Sequence, residues 1–364
     1  MSSELPIGTL IDAPAGADDT ARLKTAKLNR HTFWCGQSGS GKTYALGVLL
    51  EQVLLHTKLP IVVLDPNSDF VGLGRVREEA DVVLAEELHS RDIRVLSPSP
   101  ELGDPLKLRF VDMDLRSRAA VQRLDPVTDA EEYNVMLRLP TEQVTALTVP
   151  IVQWLRSNDD PAYQSIATRL ENLGIADWDL WAWGDRDVND VIDERPDATV
   201  VDLGHFGSAA EAQTTALGIL DQLWAHRSDR IGRMIVVDEA HNLCPPDPAT
   251  PLERMLTQRI VQIAAEGRKY GLWLLLSTQR PSKVHPHVLS QCDNLALMKT
   301  GSAADLDELA RVFGYAPPEL IARAPGFTQG QALFAGGFIR EPSLVQLSGR
   351  LTHEGGTDVE VPLR

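Results

Sequence analysis

The sequence is poor in cysteine and contains no long apolar run. Its three cysteines, Cys35, Cys244 and Cys292, stand far apart and are odd in number, so they favour reduced thiols in the cytosol over a disulfide framework. None of them has metal-ligand spacing. No apolar run approaches the roughly 18 residues that a membrane-spanning helix needs, and the N-terminus lacks the basic and apolar regions of a leader. We therefore expect a cytoplasmic protein with no membrane segment.

Positive charge is also scarce. The 364 residues include 35 Lys and Arg against 51 Asp and Glu, which gives a formal net charge of -16 that is spread along the chain. This balance argues against broad, nonspecific adhesion to nucleic acid or to an anionic membrane, so any nucleic-acid contact must be local. With 43% apolar and 24% charged residues, the composition is that of an ordinary globular protein.

Short apolar runs alternate with helical periods from Thr32 onward. The run "TFWC" is followed by the helical pattern "YALGVLLEQVLLH" and then by "IVVLD". This order predicts an α/β fold with a mainly parallel central sheet and helices on both faces. We expect an N-terminal extension over 1–30 and one domain over 31–364, with a mostly helical insertion at about 111–197 and a strand-rich tail at about 330–364.

The segment "GQSGSGKT" fits the phosphate-binding loop pattern G-x-x-x-x-G-K-[ST] at every fixed position. Glycines let the backbone curl so that N–H groups point at phosphate oxygens, and the following helix adds its positive end. A strand-like run before it and an apolar helix after it favour nucleotide binding over a plain glycine-rich turn. The predicted nucleotide-binding residues are Gly36, Gln37, Ser38, Gly39, Ser40, Gly41, Lys42 and Thr43. Lys42 would reach the β- and γ-phosphates, and Thr43 would ligate Mg²⁺.

The segment "MIVVDEAH" reads as an apolar strand that delivers two acids to its C-terminal edge. Asp238 can hold Mg²⁺ through its water shell, and Glu239 can polarise the water that attacks the γ-phosphate. A carboxylate base beside the metal acid indicates hydrolysis, whereas a small-molecule kinase needs an acceptor site. The guanine-reading N-K-x-D motif is absent from the sequence, so ATP is favoured over GTP. If the sequence had no phosphate-binding loop, two adjacent acids at the end of a strand would indicate a solvated turn instead.

The segment "LLLSTQR" reads as a third central strand that ends in a polar residue, Gln279. An amide there can bond both the attacking water and the γ-phosphate and so act as a sensor. An ordinary polar residue at a strand end is the alternative.

Six segments, taken in their order along the chain, resemble the HerA/FtsK branch of the P-loop ATPases, and HerA most closely. They are "RHTFWCGQSGSGKT", "VVLDPNSDF", "TVVDLGHF", "IVVDEAHNLCP", "EGRKYGLWLLLSTQRP" and "LSQCDNLALMK". The resemblance implies a RecA-like P-loop NTPase fold and a ring, commonly a hexamer. It also implies that ATP hydrolysis drives double-stranded DNA through the central channel of that ring.

The resemblance also implies residue roles. Lys42 and Thr43 would bind ATP and Mg²⁺, Asp238 and Glu239 would be the second-motif acids, and Gln279 the sensor. Arg268 would enter the site of the neighbouring subunit as an arginine finger. The sequence departs from the family in two respects. The 30 residues before the first strand cannot form the usual N-terminal β-barrel, and "DPNSDF" replaces an Asp-Pro-His-Gly-Glu-Tyr type of run.

Arg268 lies in the stretch "EGRKYG", eleven residues before Gln279. We expect Gly267 to permit a tight turn after a helix that ends near Glu266, which puts Arg268 and Gln279 at opposite ends of one strand. A role for Arg268 in its own subunit's site is then disfavoured. The alternative is a solvated turn, and Lys269 fits that alternative better than Arg268 does.

DNA contact would have to come from a local feature. The loop "RPSKVHPHVL" carries Arg280 and Lys283 and could face a channel, where a ring repeats each phosphate contact. The loop could equally connect the sheet to the next helix. Three functions therefore stay open: a ring-forming DNA translocase that serves a nuclease or another effector, an ATP-gated assembly or regulatory subunit that does not move DNA, and a stand-alone P-loop enzyme acting on a small molecule.

Overall fold

The computed structural model describes residues 4–139, 150–183 and 186–356, which form helices around a twelve-stranded sheet. Part of the predicted insertion and the last residues of the predicted tail lie outside these ranges. The strands, in chain order, are β1 (Glu4–Leu10), β2 (Thr20–Lys24), β3 (His31–Cys35), β4 (Ile61–Asp65), β5 (Ile93–Ser97), β6 (Asp104–Pro105), β7 (Ala198–Asp202), β8 (Arg233–Val237), β9 (Leu272–Thr278), β10 (Cys292–Met298), β11 (Gln331–Gly336) and β12 (Ser343–Leu347).

Twelve α-helices are present in the described residues. They are α1 (Lys42–His56), α2 (Val82–His89), α3 (Leu115–Val121), α4 (Ala130–Arg138), α5 (Ile151–Arg156), α6 (Pro161–Leu173), α7 (Val188–Asp193), α8 (Ala209–Ala225), α9 (Pro251–Glu266), α10 (Pro286–Leu289), α11 (Ala303–Val312) and α12 (Pro318–Ile321). Within the described ranges, no helix combines the length and the apolar character needed to cross a membrane.

The strand order is β2-β1-β12-β11-β10-β3-β9-β8-β4-β7-β5-β6. From β10 to β6 every neighbouring pair is parallel, whereas β11, β12, β1 and β2 add an antiparallel edge. The central strands β3, β4, β7 and β8 are buried along their whole length, as parallel strands covered on both faces require. The predicted α/β class with a mainly parallel sheet is confirmed.

Helices cover both faces of the sheet. Successive residues of β3 point to opposite faces, so Phe33 joins one apolar cluster with α8 and α9, and Trp34 joins another with α1. The sequence fixes the ends of these helices locally. In α9, for example, Thr250 and Glu253 form a reciprocal capping box around a proline at the first helical position.

The chain between β6 and β7 is mostly helical. Its described residues include five α-helices, α3 to α7, and an isolated bridge that pairs Leu108 with Trp181. The side chains of Leu155 and Ile166 reach the same apolar cluster as α8 and α9, so these helices pack on one face of the sheet. Residues 140–149 and 184–185 of the predicted insertion lie outside the described ranges.

Residues 4–24 contribute two strands to the antiparallel edge. β1 pairs with β12, and β2 pairs with β1 across a register shift between Pro6 and Gly8. Only one short strand near Ile7 stands out in the sequence, because proline and glycine interrupt β1 and polar residues alternate with buried Ala21 and Leu23 in β2.

Two glycines, Gly267 and Gly271, shape the turn between α9 and β9. Gly267 has a right-handed conformation, with φ of -60°, and starts a short 3₁₀ turn that runs to Tyr270. A Cβ there would lie 2.9 Å from the carbonyl oxygen of Leu272. Gly271 ends that turn in the left-handed region, with φ of 85°, and a Cβ there would lie 2.9 Å from the carbonyl oxygen of Ile231. A tight turn thus begins at Gly267 directly after the helix, as the sequence predicts, and the left-handed residue of that turn is Gly271 at its end.

We predict that Gly271→Ala lowers the free energy of unfolding by about 1–2 kcal/mol, the cost of a left-handed conformation for an L-residue. Urea unfolding followed by circular dichroism measures this loss. Gly314→Ala is the matched control, since a Cβ at Gly314 meets no atom within 4 Å. Equal losses in the two variants would contradict the assignment.

Candidate functional site

The phosphate-binding loop connects β3 to α1 and is shaped by its glycines. Gly39 and Gly41 are left-handed, with φ of 76° and 83°, and a Cβ at Gly36 would lie 2.7 Å from both Met298 Cβ and Ser40 Oγ. Gly41 precedes α1 directly, and no side chain in the described part of the chain caps the helix. The N–H groups of the first helical turn therefore remain available to an anion, in the positive field of the helix end.

Lys42 lies at the centre of the site and is buried, with 4% of its surface exposed. Its Nζ donates to Asp238 Oδ1 at 2.9 Å and to Ser277 Oγ at 2.9 Å, and it lies 3.2 Å from Glu239 Oε1. Burial alone would lower the pKa of Lys42, but the charges of Asp238 and Glu239 outweigh burial and raise it. The lysine is therefore a cation, which phosphate oxygens can bind in place of the two carboxylates.

Asp238 and Glu239 follow β8 at the same edge of the sheet as the phosphate-binding loop. Asp238 is fully buried, and its Oδ2 has no hydrogen-bond partner within the described part of the chain. Glu239 is a non-glycine residue in the left-handed region, with φ of 42° and ψ of 51°. Such backbone strain is common where a side chain is held in a functional orientation, and here it aims Glu239 at Lys42 and Gln279.

Glu239 is held as a carboxylate by three neighbours. Gln279 Nε2 donates to Glu239 Oε1 at 2.9 Å, and His241 Nδ1 lies 3.2 Å from Oε2. Burial by itself would raise the pKa of Glu239, but the hydrogen bond with His241, the charge of Lys42 and the hydrogen bond from Gln279 lower it to about 2. An ionised carboxylate next to a strand-end amide can accept a proton from water.

His241 was missing from the sequence predictions. Its Nδ1 also lies 3.0 Å from the hydroxyl oxygen of Thr278, the last residue of β9. The imidazole thus links the strand that carries Glu239 to the strand that carries Gln279. The sequence held one signal for His241. It stands two residues after Glu239, so the turn after the strand keeps it at the same edge of the sheet.

A cluster of acids lies beside Lys42. Asp65, Asp69 and Asp238 each offer an oxygen, and these oxygens lie within 4.8 Å of one another. Thr43 Oγ1 donates to Asp69 Oδ2 at 3.4 Å. Burial, with added repulsion from Asp238, raises the pKa of Asp65 to about 8 and that of Asp69 to about 6.

This set of donors fits Mg²⁺. Carboxylate and hydroxyl oxygens are the ligands that Mg²⁺ prefers, and a divalent cation would offset the repulsion among the acids. The unpartnered Oδ2 of buried Asp238 is an acceptor left over for such an ion. The sequence pointed to Thr43 and Asp238 as metal residues. The structure places Asp65 and Asp69 beside Asp238 as further candidate ligands, and their segment stood out in the sequence only as a departure from the family pattern.

Arg268 is not part of this arrangement. It precedes β9, at the end of the strand opposite to Gln279, and its Nη1 donates to Asp293 Oδ2 at 2.8 Å. Arg30 Nε lies 3.4 Å from the same oxygen. The guanidinium is partly exposed at the edge of the sheet away from Lys42.

Arg280 and Lys283 follow Gln279 on the surface. Both residues are exposed, and neither has an ion-pair partner in the described ranges. Both residues follow β9 closely in the chain, at the edge of the sheet that carries Asp238 and Glu239, but in the described structure neither pairs with those carboxylates. Their side chains are free to meet a ligand outside the nucleotide site.

The chain matches known proteins in sequence. A family model described as the central domain of helicase HerA matches residues 5–150. The DNA double-strand break repair helicase HerA of Pyrococcus furiosus is 29% identical over 394 residues, covering 94% of this chain and 69% of the relative. A probable helicase of Methanocaldococcus jannaschii is 28% identical, covering 99% of this chain and 70% of the relative. The chain is thus similar in sequence to HerA helicases over almost its whole length.

Solved structures show that the chain has the expected RecA-like P-loop NTPase fold. VirB4 of Thermoanaerobacter pseudethanolicus superposes with a TM-score of 0.62 at 15% identity, covering 96% of this chain and 97% of VirB4. The bacterial conjugative coupling protein TrwB gives a TM-score of 0.57 at 12% identity, covering 95% of this chain and 89% of TrwB. TrwB has also been solved with the non-hydrolysable GTP analogue GDPNP.

We predict that Glu239→Gln binds nucleotide and loses turnover. The amide preserves the shape of the side chain but cannot accept the proton of water, so the rate should fall by about 10²–10⁴-fold. Phosphate release measures turnover, and fluorescent nucleotide titration measures binding. Glu319→Gln, on the exposed surface, is the control. Persistent turnover in Glu239→Gln would show that another group is the base.

Proposed function

We propose that this chain assembles into a homo-oligomeric ring of six copies and couples ATP hydrolysis to translocation of double-stranded DNA. A nuclease or another effector protein is the partner that such a ring would serve. The observation that carries the proposal is the separation of functional groups on β9. Gln279 follows one end of the strand and Arg268 precedes the other, about 20 Å away at roughly 3.3 Å per residue.

Within one subunit, the phosphate-binding loop would hold the ATP phosphates while Lys42 leaves Asp238 and Glu239 to contact them. Mg²⁺, held by Thr43 and Asp238 with Asp69 beside them, would neutralise phosphate charge when bound. Glu239 would take a proton from water, so that the oxygen attacks the γ-phosphorus and ADP leaves. Gln279 would hold that water through its amide, which already lies 2.9 Å from Glu239 Oε1.

Among the described residues, no lysine or arginine other than Lys42 pairs with Asp238 or Glu239, so a further cation for the charge that develops on the γ-phosphate would have to come from outside the subunit's own site. Arg268 lies at the opposite edge of the sheet, half-exposed, and would enter the site of the next copy in a ring. An arginine supplied in this way is worth roughly 10³–10⁵ in rate in other NTPases. ATP hydrolysis would then depend on assembly.

DNA transport is supported by the names of the relatives, which include a DNA repair helicase, and by the exposed cations Arg280 and Lys283. A ring would repeat both cations in each copy, so a chain with a net charge of -16 could still line a channel with positive charge. That same acidity favours the second candidate, an ATP-gated assembly subunit that does not move DNA.

The test that separates the two candidates is an ATPase titration with duplex DNA at several salt concentrations. We predict stimulation that weakens as salt rises, because DNA contact releases counterions. Lys283→Glu should raise the DNA concentration needed for half-stimulation, whereas Lys58→Glu, an exposed change before β4 at the other sheet edge, should not. An ATPase rate that DNA leaves unchanged, together with no ATP-dependent DNA binding, would reject translocation.

A second prediction concerns Arg268. Arg268→Ala should bind ATP normally and hydrolyse it poorly, because its own site is intact and the arginine is missing from the neighbour's site. Mixing Arg268→Ala with Lys42→Ala should restore part of the activity, since some shared interfaces then combine an intact site with an intact arginine. Phosphate release from the mixtures measures this.

Lys269→Ala is the matched control for Arg268→Ala. Lys269 is the adjacent cation, more exposed than Arg268 and 3.6 Å from Glu266 on the same turn. The Lys269→Ala variant should hydrolyse ATP at the normal rate. Mixtures with no recovered activity at any ratio would contradict the role of Arg268 in a neighbouring subunit.

A further inference from the structure

After β12 the chain leaves the sheet and crosses α1 to reach the loop after β4. We call residues 348–356 the C-terminal strap. At its start, the Ser348 N–H donates to the carbonyl oxygen of Ile7 at 3.0 Å, and the Arg350 N–H donates to the hydroxyl of Tyr44 at 2.7 Å. Tyr44 follows Thr43 in the first turn of α1. The strap is therefore attached to the helix that opens the nucleotide site.

A buried carboxylate anchors the middle of the strap. Glu51, on α1, accepts the N–H groups of Leu351 and Thr352 at 2.9 Å and 2.7 Å and the Thr352 hydroxyl at 2.6 Å. The Arg350 side chain is fully buried beside it, with Nε 3.8 Å from Glu51 Oε1. A Cβ at Gly47 would lie 2.4 Å from that Nε, so α1 carries a glycine where the arginine crosses it.

The far end of the strap contacts the loop that carries Asp69. The Gly355 N–H donates to the carbonyl oxygen of Asp69 at 2.9 Å. A Cβ on Gly355 would lie 1.7 Å from the carbonyl oxygen of Ser68, a contact that no real structure allows. Ser68 cannot retreat easily, because it is left-handed, with φ of 61°, and its hydroxyl donates to buried Asp202 at 2.6 Å.

Two elements of the metal site are thus joined by one segment. Thr43 begins α1, where Tyr44 and Glu51 hold the strap, and Asp69 lies in the loop that Gly355 contacts. The side chains of Thr43 and Asp69 meet at 3.4 Å beside the unpartnered Oδ2 of Asp238. The relative position of α1 and the loop decides whether these oxygens converge.

We propose that the C-terminal strap positions Asp69 for the metal ion of the nucleotide site, with Gly355 and Glu51 as positioning residues. The proposal rests on the proposed Mg²⁺-dependent ATP hydrolysis and deepens it. The strap does not touch the reacting atoms. It holds the loop against α1 so that the Asp69 carboxylate faces Thr43 and Asp238, and metal affinity depends on that placement.

The experiment uses Gly355→Ala in the full chain, where the added methyl group must push Ser68 and Asp69 away from the strap. Gly349→Ala is the matched control on the same strap, because a Cβ there makes only an ordinary contact, 3.8 Å from the Tyr44 hydroxyl oxygen. Mn²⁺ binding with a non-hydrolysable ATP analogue is followed by the electron paramagnetic resonance signal of free Mn²⁺. Asp69→Asn serves as the reference for losing the carboxylate itself.

We expect Gly355→Ala and Asp69→Asn to weaken Mn²⁺ binding by roughly tenfold or more, the usual effect of disturbing groups around a metal, and Gly349→Ala to leave it unchanged. A second variant, Glu51→Gln, loosens the strap without touching the loop and should weaken Mn²⁺ binding in the same direction. Nucleotide binding in EDTA should change little in all four variants, which a general loss of structure would not permit.

Wild-type Mn²⁺ affinity in Gly355→Ala, with weakened affinity in Asp69→Asn, would overturn the role of the strap. Unchanged affinity in Asp69→Asn would overturn the role of Asp69. Failure of the wild-type protein to bind Mn²⁺ with the nucleotide, or hydrolysis without any divalent metal, would instead reject the proposed function.

Discussion

The buried charge of Lys42 is the constraint on which the rest of the site depends. An ammonium group taken out of water costs several kcal/mol unless opposite charges compensate it, and here Asp238 and Glu239 do so directly. Both acids must therefore stand within reach of the phosphate-binding loop, at the end of β8. The pairing also keeps the lysine charged and oriented, so phosphate oxygens can replace the carboxylates around a cation that is already in place.

The parallel sheet brings these groups together, although they are far apart in the chain, because its strands end side by side. The carboxyl ends of β3, β4, β8 and β9 meet at one edge, and each strand is followed by a functional residue or loop there. The same geometry sends the residues before these strands to the opposite edge. Arg268, before β9, and Arg30, before β3, meet there at Asp293. One sheet thus separates the groups proposed to bind phosphate from the arginine proposed to act on a neighbour.

Local patterns predicted the class of the fold and the groups that lie next to each other in short motifs. The phosphate-binding loop, Asp238 with Glu239, and Gln279 were readable because strand, turn and chemistry occur within a few residues. Asp69 and His241 were missed because their roles arise only when β4, β8 and β9 align. The antiparallel strand β1 was partly hidden by its proline and glycine, and the strap has no local pattern, since its partners lie about 300 residues away in the chain.

The buried pair of Arg350 and Glu51 is better understood as a register device than as a source of stability. Buried ion pairs gain little net free energy against desolvation, and Arg350 Nη1 has no hydrogen-bond partner in the described residues. An apolar strap could slide along α1 with little change in energy, because apolar contacts are not directional. Three directed hydrogen bonds to Glu51 and a guanidinium over Gly47 fix one position. In that position Gly355 meets the carbonyl oxygen of Asp69. The buried charges of Arg350 and Glu51 thus cost stability but fix the placement of the strap.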